Sequence, residues 1–439
     1  MSTQSQPRYA TVIDRYYIDT RPLVPIPSNT KSTQPLPLLS TLQYSDQEAV
    51  TRFIRPADRF MSLASALLKY TFIHRRAKIP WSRVQVSRTP HPHRRPYWTP
   101  LEDWKAPVEG DSGSRIGGLE FNVSHQAGLI AIVGCSTPTA QLPTPHTHVA
   151  PGSSASSDSY EQLDLTGHRT PTLTPNEVRL GVDIACTNED KRTPQDMTTQ
   201  EKFDEWVDIF AEMFSDRERW NMRHAPIPVP VVEREEGECW DSEGSSVDTA
   251  NGTPLQDRDA RLINLKLRRF YAYWSLKEAY IKMVGEGLLA DWLRELEFLN
   301  VVAPPEPAHH HPSRDHTPTH SSARTSSVAP KHLPNVQANN NAHLYPPELR
   351  HQNEARKWTP PDKAERGMTA LLHGKKVEDV DIELVAYDED FMVSTAMRGV
   401  EEQEPGSIAD DTSQWKRWLR LDIEEDIKPC AEGRCSCLA

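Results

Sequence analysis

No apolar run in this chain approaches the roughly 20 residues needed to span a bilayer, and the opening segment MSTQSQPRYA lacks the hydrophobic stretch of a secretory signal. No membrane association is expected, and the cytoplasm is the expected compartment. Cysteine is scarce, six in 439 residues, and Cys135, Cys186 and Cys239 stand singly, which excludes a disulfide framework or a spaced zinc motif built from them. Cys430, Cys435 and Cys437 cluster near the end. Ser436 stands fourth from the end, where prenylation requires cysteine, so the cluster reads as tail, with a metal or lipid role as the alternative. Excess positive charge is missing as well: a net charge of -12 argues against general nucleic-acid binding and turns attention to small anions. No internal repeat is visible. With 37% hydrophobic residues and 37 prolines, the folded part is expected to be much shorter than the chain.

What is present falls into a few ordered blocks. Ser45 and Glu48 have capping-box spacing before Val50, Phe53 and Ile54, and predict a short helix. Phe60, Leu63, Ala64, Leu67, Leu68 and Phe72 recur at helical spacing after Pro56 and predict a longer helix buried along one face. A basic, extended stretch follows over residues 75–98. FNVS and LIAIVG then read as two strands joined by a hairpin turn at His125 to Gly128, and RLGVDI as a third strand. Phe203, Trp206, Val207 and Phe210 predict another helix, and Ser215 with Glu218 forms a second capping box. A long helix over 260–284 carries Leu267, Phe270, Trp274 and Ile281, with Gly285 as its stop. VDIELVAY and FMVSTAM are further strands. Pro-, Ser-, Thr- and His-rich segments at 136–178, 223–258 and 303–365 read as disordered insertions, His309, His310 and His311 among them binding metal at most adventitiously, and 399–439 as an acidic tail.

Three motifs lie in the ordered blocks: FNVSH, GVDIA and WSLKEAYIK. Glu278 and Lys282, four apart, make either a plain surface ion pair or part of a site. Asp183, in a strand that reads as buried, needs a partner: backbone amides or an arginine on one reading, magnesium on the other, since that ion is held by one or two carboxylates plus substrate phosphates. Ser124 and His125 are either turn residues or phosphate contacts, with the upstream arginines adding charge-assisted bonds.

In their order and content these motifs resemble the 4'-phosphopantetheinyl transferases of the broad-specificity type that activate peptide and polyketide synthetases, whose pattern runs FN(I/V)SH, G(I/V)D, (W/F)SxKExxxK. The insertions resemble those of fungal members. The resemblance implies an α+β fold of two similar lobes related by a pseudo-two-fold axis, each a small antiparallel-type sheet packed with a long helix. The first lobe is placed at 1–135, ordered from about residue 45, and the second at 179–398. It implies transfer of the phosphopantetheine arm of coenzyme A to a serine of acyl or peptidyl carrier protein domains, releasing 3',5'-ADP. The carriers would be those of fatty-acid, polyketide, nonribosomal-peptide or lysine biosynthesis, and the enzyme a monomer. Asp183 and Glu278 match the magnesium-binding acids; Arg59, Arg95, Ser124, His125, Lys277 and Lys282 match coenzyme A contacts, Lys282 also stabilising the leaving phosphate. Glu218 matches a proposed base for the carrier serine, although its place in the capping box explains it equally. Ala185 stands where several bacterial members have a third acid, a position water can fill on magnesium. A coenzyme A-binding protein without catalysis, or a scaffold acting through its insertions, are the rival classes.

Overall fold

The computed structural model describes residues 12–24, 35–90, 94–109, 114–138, 177–188, 197–227, 255–286, 290–304, 364–388, 390–400 and 417–438. The expected insertions lie for the most part outside these residues. Where they are described their edges are ordered.

The first lobe comprises β1 (Asp14–Asp19), α1 (Tyr44–Thr51), α2 (Pro56–Ala77), the short strand pairs β2 (Ser87–Arg88) with β3 (Pro96–Tyr97) and β4 (Val108–Glu109) with β5 (Ser114–Arg115), and the hairpin β6 (Gly118–Gln126) and β7 (Leu129–Thr137). Ala127 and Gly128 connect the hairpin with φ of 46° and 89°. Two successive positive φ values match the right-handed twist of the flanking strands, and glycine takes the second without strain. Pro56 at the first turn of α2 suits a helix start, because its missing N–H would have had no helical partner. The Ser45 capping box does not form: α1 begins at Tyr44, after an N-cap residue, Gln43, that makes no side-chain cap bond.

The second lobe comprises β8 (Arg179–Cys186), α3 (Gln200–Ile209), α4 (Asp216–His224), α5 (Leu255–Val284), a small sheet of β9 (Leu296–Leu299), β10 (Thr369–Leu372) and β11 (Lys375–Lys376), and the hairpin β12 (Val380–Tyr387) and β13 (Phe391–Arg398). β13 lies between β12 and β8, antiparallel to both. Gly285, with φ of 88°, ends α5 where the sequence placed its stop.

Each lobe lays one long helix on a sheet, and each does so over a glycine. A methyl group at Gly134 of β7 would overlap the Phe72 ring of α2, and one at Gly181 of β8 would overlap the α5 backbone at Ala279 and Met283. At β8 the α5 backbone therefore lies closer than any side chain on that position permits, while at β7 the glycine makes room for the Phe72 ring. Gly181 of the GVDIA motif is there for packing, and it brings α5 against the strand that bears Asp183.

Two findings depart from the sequence reading. β1 precedes residue 45 and lies inside the first sheet, whose order is β14-β1-β7-β6; β14 (Leu419–Arg420) comes from the expected tail and pairs in parallel with β1. Leu421, Ile423 and Ile427 then join the first-lobe core. The segment 417–438 is thus part of the first lobe, held by apolar side chains spaced among acidic ones.

The lobes meet along β6 and β8. β8 is an edge strand, and alternate side chains of β6 satisfy its free amides: Glu120 Oε1 accepts from Leu180 N (3.2 Å), Asn122 Oδ1 from Val182 N (3.1 Å) and Ser124 Oγ from Ile184 N (3.3 Å). Period-two alternation on one strand thus matches period-two amides on the next. An apolar layer of Ile13, Tyr17, Leu129, Val133, Val385 and Phe391 closes the junction on the far side.

Candidate active site

The last rung of that ladder builds the site. Asp183 is buried, 5% exposed, and its Oδ1 accepts from Lys282 Nζ of α5 (2.5 Å) and from Ser124 Oγ of β6 (3.2 Å). Ser124 Oγ also accepts from Lys282 Nζ (3.0 Å) and from the amide of Ile184. One residue from each of the three motifs therefore meets at a point where the lobes join. Oδ2 of Asp183 is buried and has no hydrogen-bond partner among the described residues. Burial pushes the Asp183 carboxyl up from its ordinary range, and Lys282, Ser124 and the Ile184 amide pull it back.

Glu278 is half-buried one turn before Lys282, on the same face of α5. His125, next along β6, is an exposed residue whose imidazole has protein packed around it. That enclosure, then Lys282 and Lys69, drive its pKa below the usual histidine range. Lys69 of α2 was missed by the sequence reading. It is 4% exposed, and burial with Arg88 nearby brings its pKa down to about 8 against the pull of Asp46. Its signal was a lysine interrupting an apolar helix face between Leu68 and Tyr70.

The other assigned residues are held by partners within the protein. Lys277 is fully buried, and its ammonium meets Met213 O (2.7 Å), Leu293 O (3.0 Å), Leu296 O (2.6 Å) and Glu218 Oε2 (2.9 Å). An ammonium has three protons, so four oxygens leave none for a phosphate. Glu218, also fully buried, accepts from the amides of Ser215 (3.0 Å) and Phe298 (2.9 Å), with its capping box complete. Burial raises the Glu218 carboxyl and lowers the Lys277 ammonium, each opposed by the other's charge. Both placements differ from the roles the resemblance implied, because neither side chain has a face toward solvent. Arg95 is buried at the lobe junction, paired with Glu120 and donating to Leu180 O (3.4 Å). Arg59 donates Nε to Phe53 O (2.5 Å) and so ties the start of α2 to the turn before it.

Two family models match the chain: one described as 4'-phosphopantetheinyl transferase, N-terminal, over residues 29–137, and one as the 4'-phosphopantetheinyl transferase superfamily, over 179–329. 4'-Phosphopantetheinyl transferase A of Aspergillus fumigatus is 37% identical over 434 residues, covering 97% of this chain and 96% of the relative. The chain belongs to the 4'-phosphopantetheinyl transferase superfamily. NpgA of Emericella nidulans is 35% identical over 436 residues, 98% of this chain and 96% of the relative, and a transferase of Aureobasidium melanogenum 31% over 425 residues, 94% and 95%. The transferase class and α+β two-lobe fold implied by the resemblance, and the fungal likeness of the insertions, all stand, with coenzyme A as substrate and carrier protein domains as acceptors. No helix among the transferase's described residues is long and apolar enough to cross a membrane.

Proposed function

We propose that Asp183 and Glu278 hold a magnesium ion in the cleft where β6, β8 and α5 meet, and that the phosphates of coenzyme A bind there while the phosphopantetheine arm passes to a carrier serine, releasing 3',5'-ADP. The observation that carries this reading is the second oxygen of Asp183. An unpartnered carboxylate oxygen in a buried position is costly unless a ligand completes it. Two carboxylates suit magnesium, which keeps waters and takes phosphate oxygens in its remaining positions, so Ala185 is tolerated. Bound there, the ion would neutralise charge on the pyrophosphate as its bond breaks.

The chain's own residues supply the rest. Ser124 donates to Asp183 and accepts from the Ile184 amide, fixing the carboxylate's direction. Lys282, partly exposed, holds Asp183 and faces the leaving phosphate. His125, at the exposed end of β6, offers its imidazole to a further phosphate of coenzyme A. Glu218 and Lys277 position α4, α5 and β9 and stay outside the reaction, and Arg95 braces the lobe junction.

The lobes are read as 1–135 and 179–398, the first completed by residues 417–438. Carriers of fatty-acid, polyketide, nonribosomal-peptide and lysine biosynthesis are the proposed partners, served by a cytoplasmic monomer, and the arginines of the first lobe suit an acidic carrier surface. Incubation with coenzyme A, magnesium and each apo carrier should add the mass of one phosphopantetheine to the carrier serine. An unmodified carrier after prolonged incubation sinks the assignment for that class.

His125 gives a pH test. Its depressed pKa means it is neutral at pH 7 in the free enzyme, so a phosphate that prefers the imidazolium must draw a proton onto it. Coenzyme A affinity should therefore rise as pH falls toward and below about 6.5, and rise less in His125→Gln. Parallel pH profiles for the two proteins, measured by titration calorimetry, would remove His125 from the phosphate site.

A further inference from the structure

Away from the cleft, four side chains with metal-ligating atoms converge: His74 of α2 and Cys430, Cys435 and Cys437 of the C-terminal segment. Their ligand atoms all lie within 4.8 Å of one another. His74 Nε2 is 3.1 Å from Cys435 Sγ, and Cys430 Sγ is 3.6 Å from Cys437 Sγ. We propose that these four residues form a closed structural zinc site that fastens the C-terminal segment to the first lobe.

The fold prepares each ligand. Nδ1 of His74 lies 2.7 Å from Ile79 O, a contact that requires a proton on Nδ1 and leaves the Nε2 lone pair facing the cysteines. A backbone carbonyl on the far ring nitrogen is the usual outer support of a zinc-bound histidine. The Trp81 ring lies edge-on beside the imidazole, centroids 6.2 Å apart, and limits its rotation. On the other side, Leu421, Ile423 and Ile427 anchor the segment in the core, and Asp422 caps its first turn through the amides of Glu424 and Glu425 (2.8 and 3.1 Å). Gly433, at φ of 70°, then reverses the chain, and Arg434 N donates to Pro429 O (2.8 Å). That reversal carries Cys435 and Cys437 back to Cys430. Lys78 Nζ, just past α2, donates to Cys437 O (2.6 Å) and holds the last turn down.

The donor set identifies the ion. Three sulfurs and one imidazole nitrogen are a soft, four-coordinate set that suits zinc, with Zn–S near 2.3 Å and therefore sulfurs about 3.8 Å apart in a tetrahedron. The Cys430–Cys437 spacing is within reach of that value without backbone movement. His74 and Cys430 are each 1% exposed and Cys435 and Cys437 are half-buried, so four protein ligands would close the sphere, which marks a structural rather than a catalytic site. Binding would replace the three thiol protons, released to solvent, by three zinc–sulfur bonds. No residue of the cluster belongs to the Asp183 cleft.

The test uses the untagged full-length chain, purified with reductant from zinc-supplemented culture. About one zinc per chain is expected, with an X-ray absorption shell of three sulfurs near 2.3 Å and one nitrogen near 2.0 Å. The double variant Cys435→Ser, Cys437→Ser should lose its stoichiometric zinc and unfold at lower urea, while binding coenzyme A as before. Clearly substoichiometric zinc in the wild type, a nitrogen- and oxygen-only shell, or unchanged zinc in the variant would each overturn the site. If the variant does not fold, cobalt titration of the chelator-treated wild type decides. Intense thiolate-to-cobalt bands support the site, and a weak octahedral spectrum overturns it.

Discussion

Asp183→Asn is expected to slow phosphopantetheine transfer by at least about 10²-fold, the usual cost of losing one preorganised electrostatic contact at a reacting phosphate or oxyanion. The asparagine amide keeps one oxygen to accept from Ser124 and Lys282, so the rung between the lobes survives. Its second atom becomes an NH₂ group, which donates and cannot ligate a cation. The loss should therefore appear in turnover and in the magnesium concentration needed for half-maximal rate. Urea unfolding should stay close to wild type. Single-turnover transfer to an apo carrier across a magnesium series reads both. Wild-type turnover with an unchanged magnesium requirement would take Asp183 out of the reaction, and a collapse in stability would recast it as structural.

Glu218→Gln is expected to act in the opposite way, costing on the order of 3–5 kcal/mol of stability with turnover per folded molecule retained. The reason is the fully buried Lys277 left behind: its ammonium keeps three carbonyl contacts but loses the one formal negative charge beside it. Glutamine also keeps only one of the two oxygens that accept from Ser215 and Phe298, and its NH₂ faces a donor. Lys277→Met should cost a similar amount by stranding the carboxylate. The double variant should lose less than the sum, because neither buried charge is then left alone. Urea unfolding of the four proteins measures this cycle. A Glu218→Gln enzyme that is stable and inactive would restore the role of base to Glu218.

The contrast between Lys277 and Lys282 shows how much of the site was legible. Both stand in WSLKEAYIK, and the resemblance gave both to phosphates. Five residues on a helix amount to about 140° of rotation, whereas the four from Glu278 to Lys282 amount to about 40°. The spacing alone therefore says that Glu278 and Lys282 share a face and that Lys277 does not. It does not say which face meets the cleft. That depends on Gly181, where α5 lies against β8, and on the carbonyls of Met213, Leu293 and Leu296 gathered around Lys277. Arg95 was placed with the phosphates for the same reason: its basic character is visible in the sequence, while its partner Glu120 lies on another strand.

The strands and helices with strong local patterns were readable because their periodicity is a property of neighbouring residues. β6, β7, β8, β12, β13, α2 and α5 all follow that rule. β1 and β14 escaped, since a short strand in a polar neighbourhood gains its stability from partners far along the chain, here β7 and each other.

By itself the sequence determined the family and the transferase class and offered Asp183, Glu278, Ser124, His125 and Lys282 as candidates for the proposed site, because those depend on residue type and order. The tertiary structure alone decided which of them meet. It brought Ser124, Asp183 and Lys282 from three motifs to one point, withdrew Glu218 and Lys277 into the core, and carried three cysteines of a supposed tail to His74, 361 residues from Cys435. Such meetings are set by sheet register and helix packing over long loops, and no local pattern in the chain encodes them.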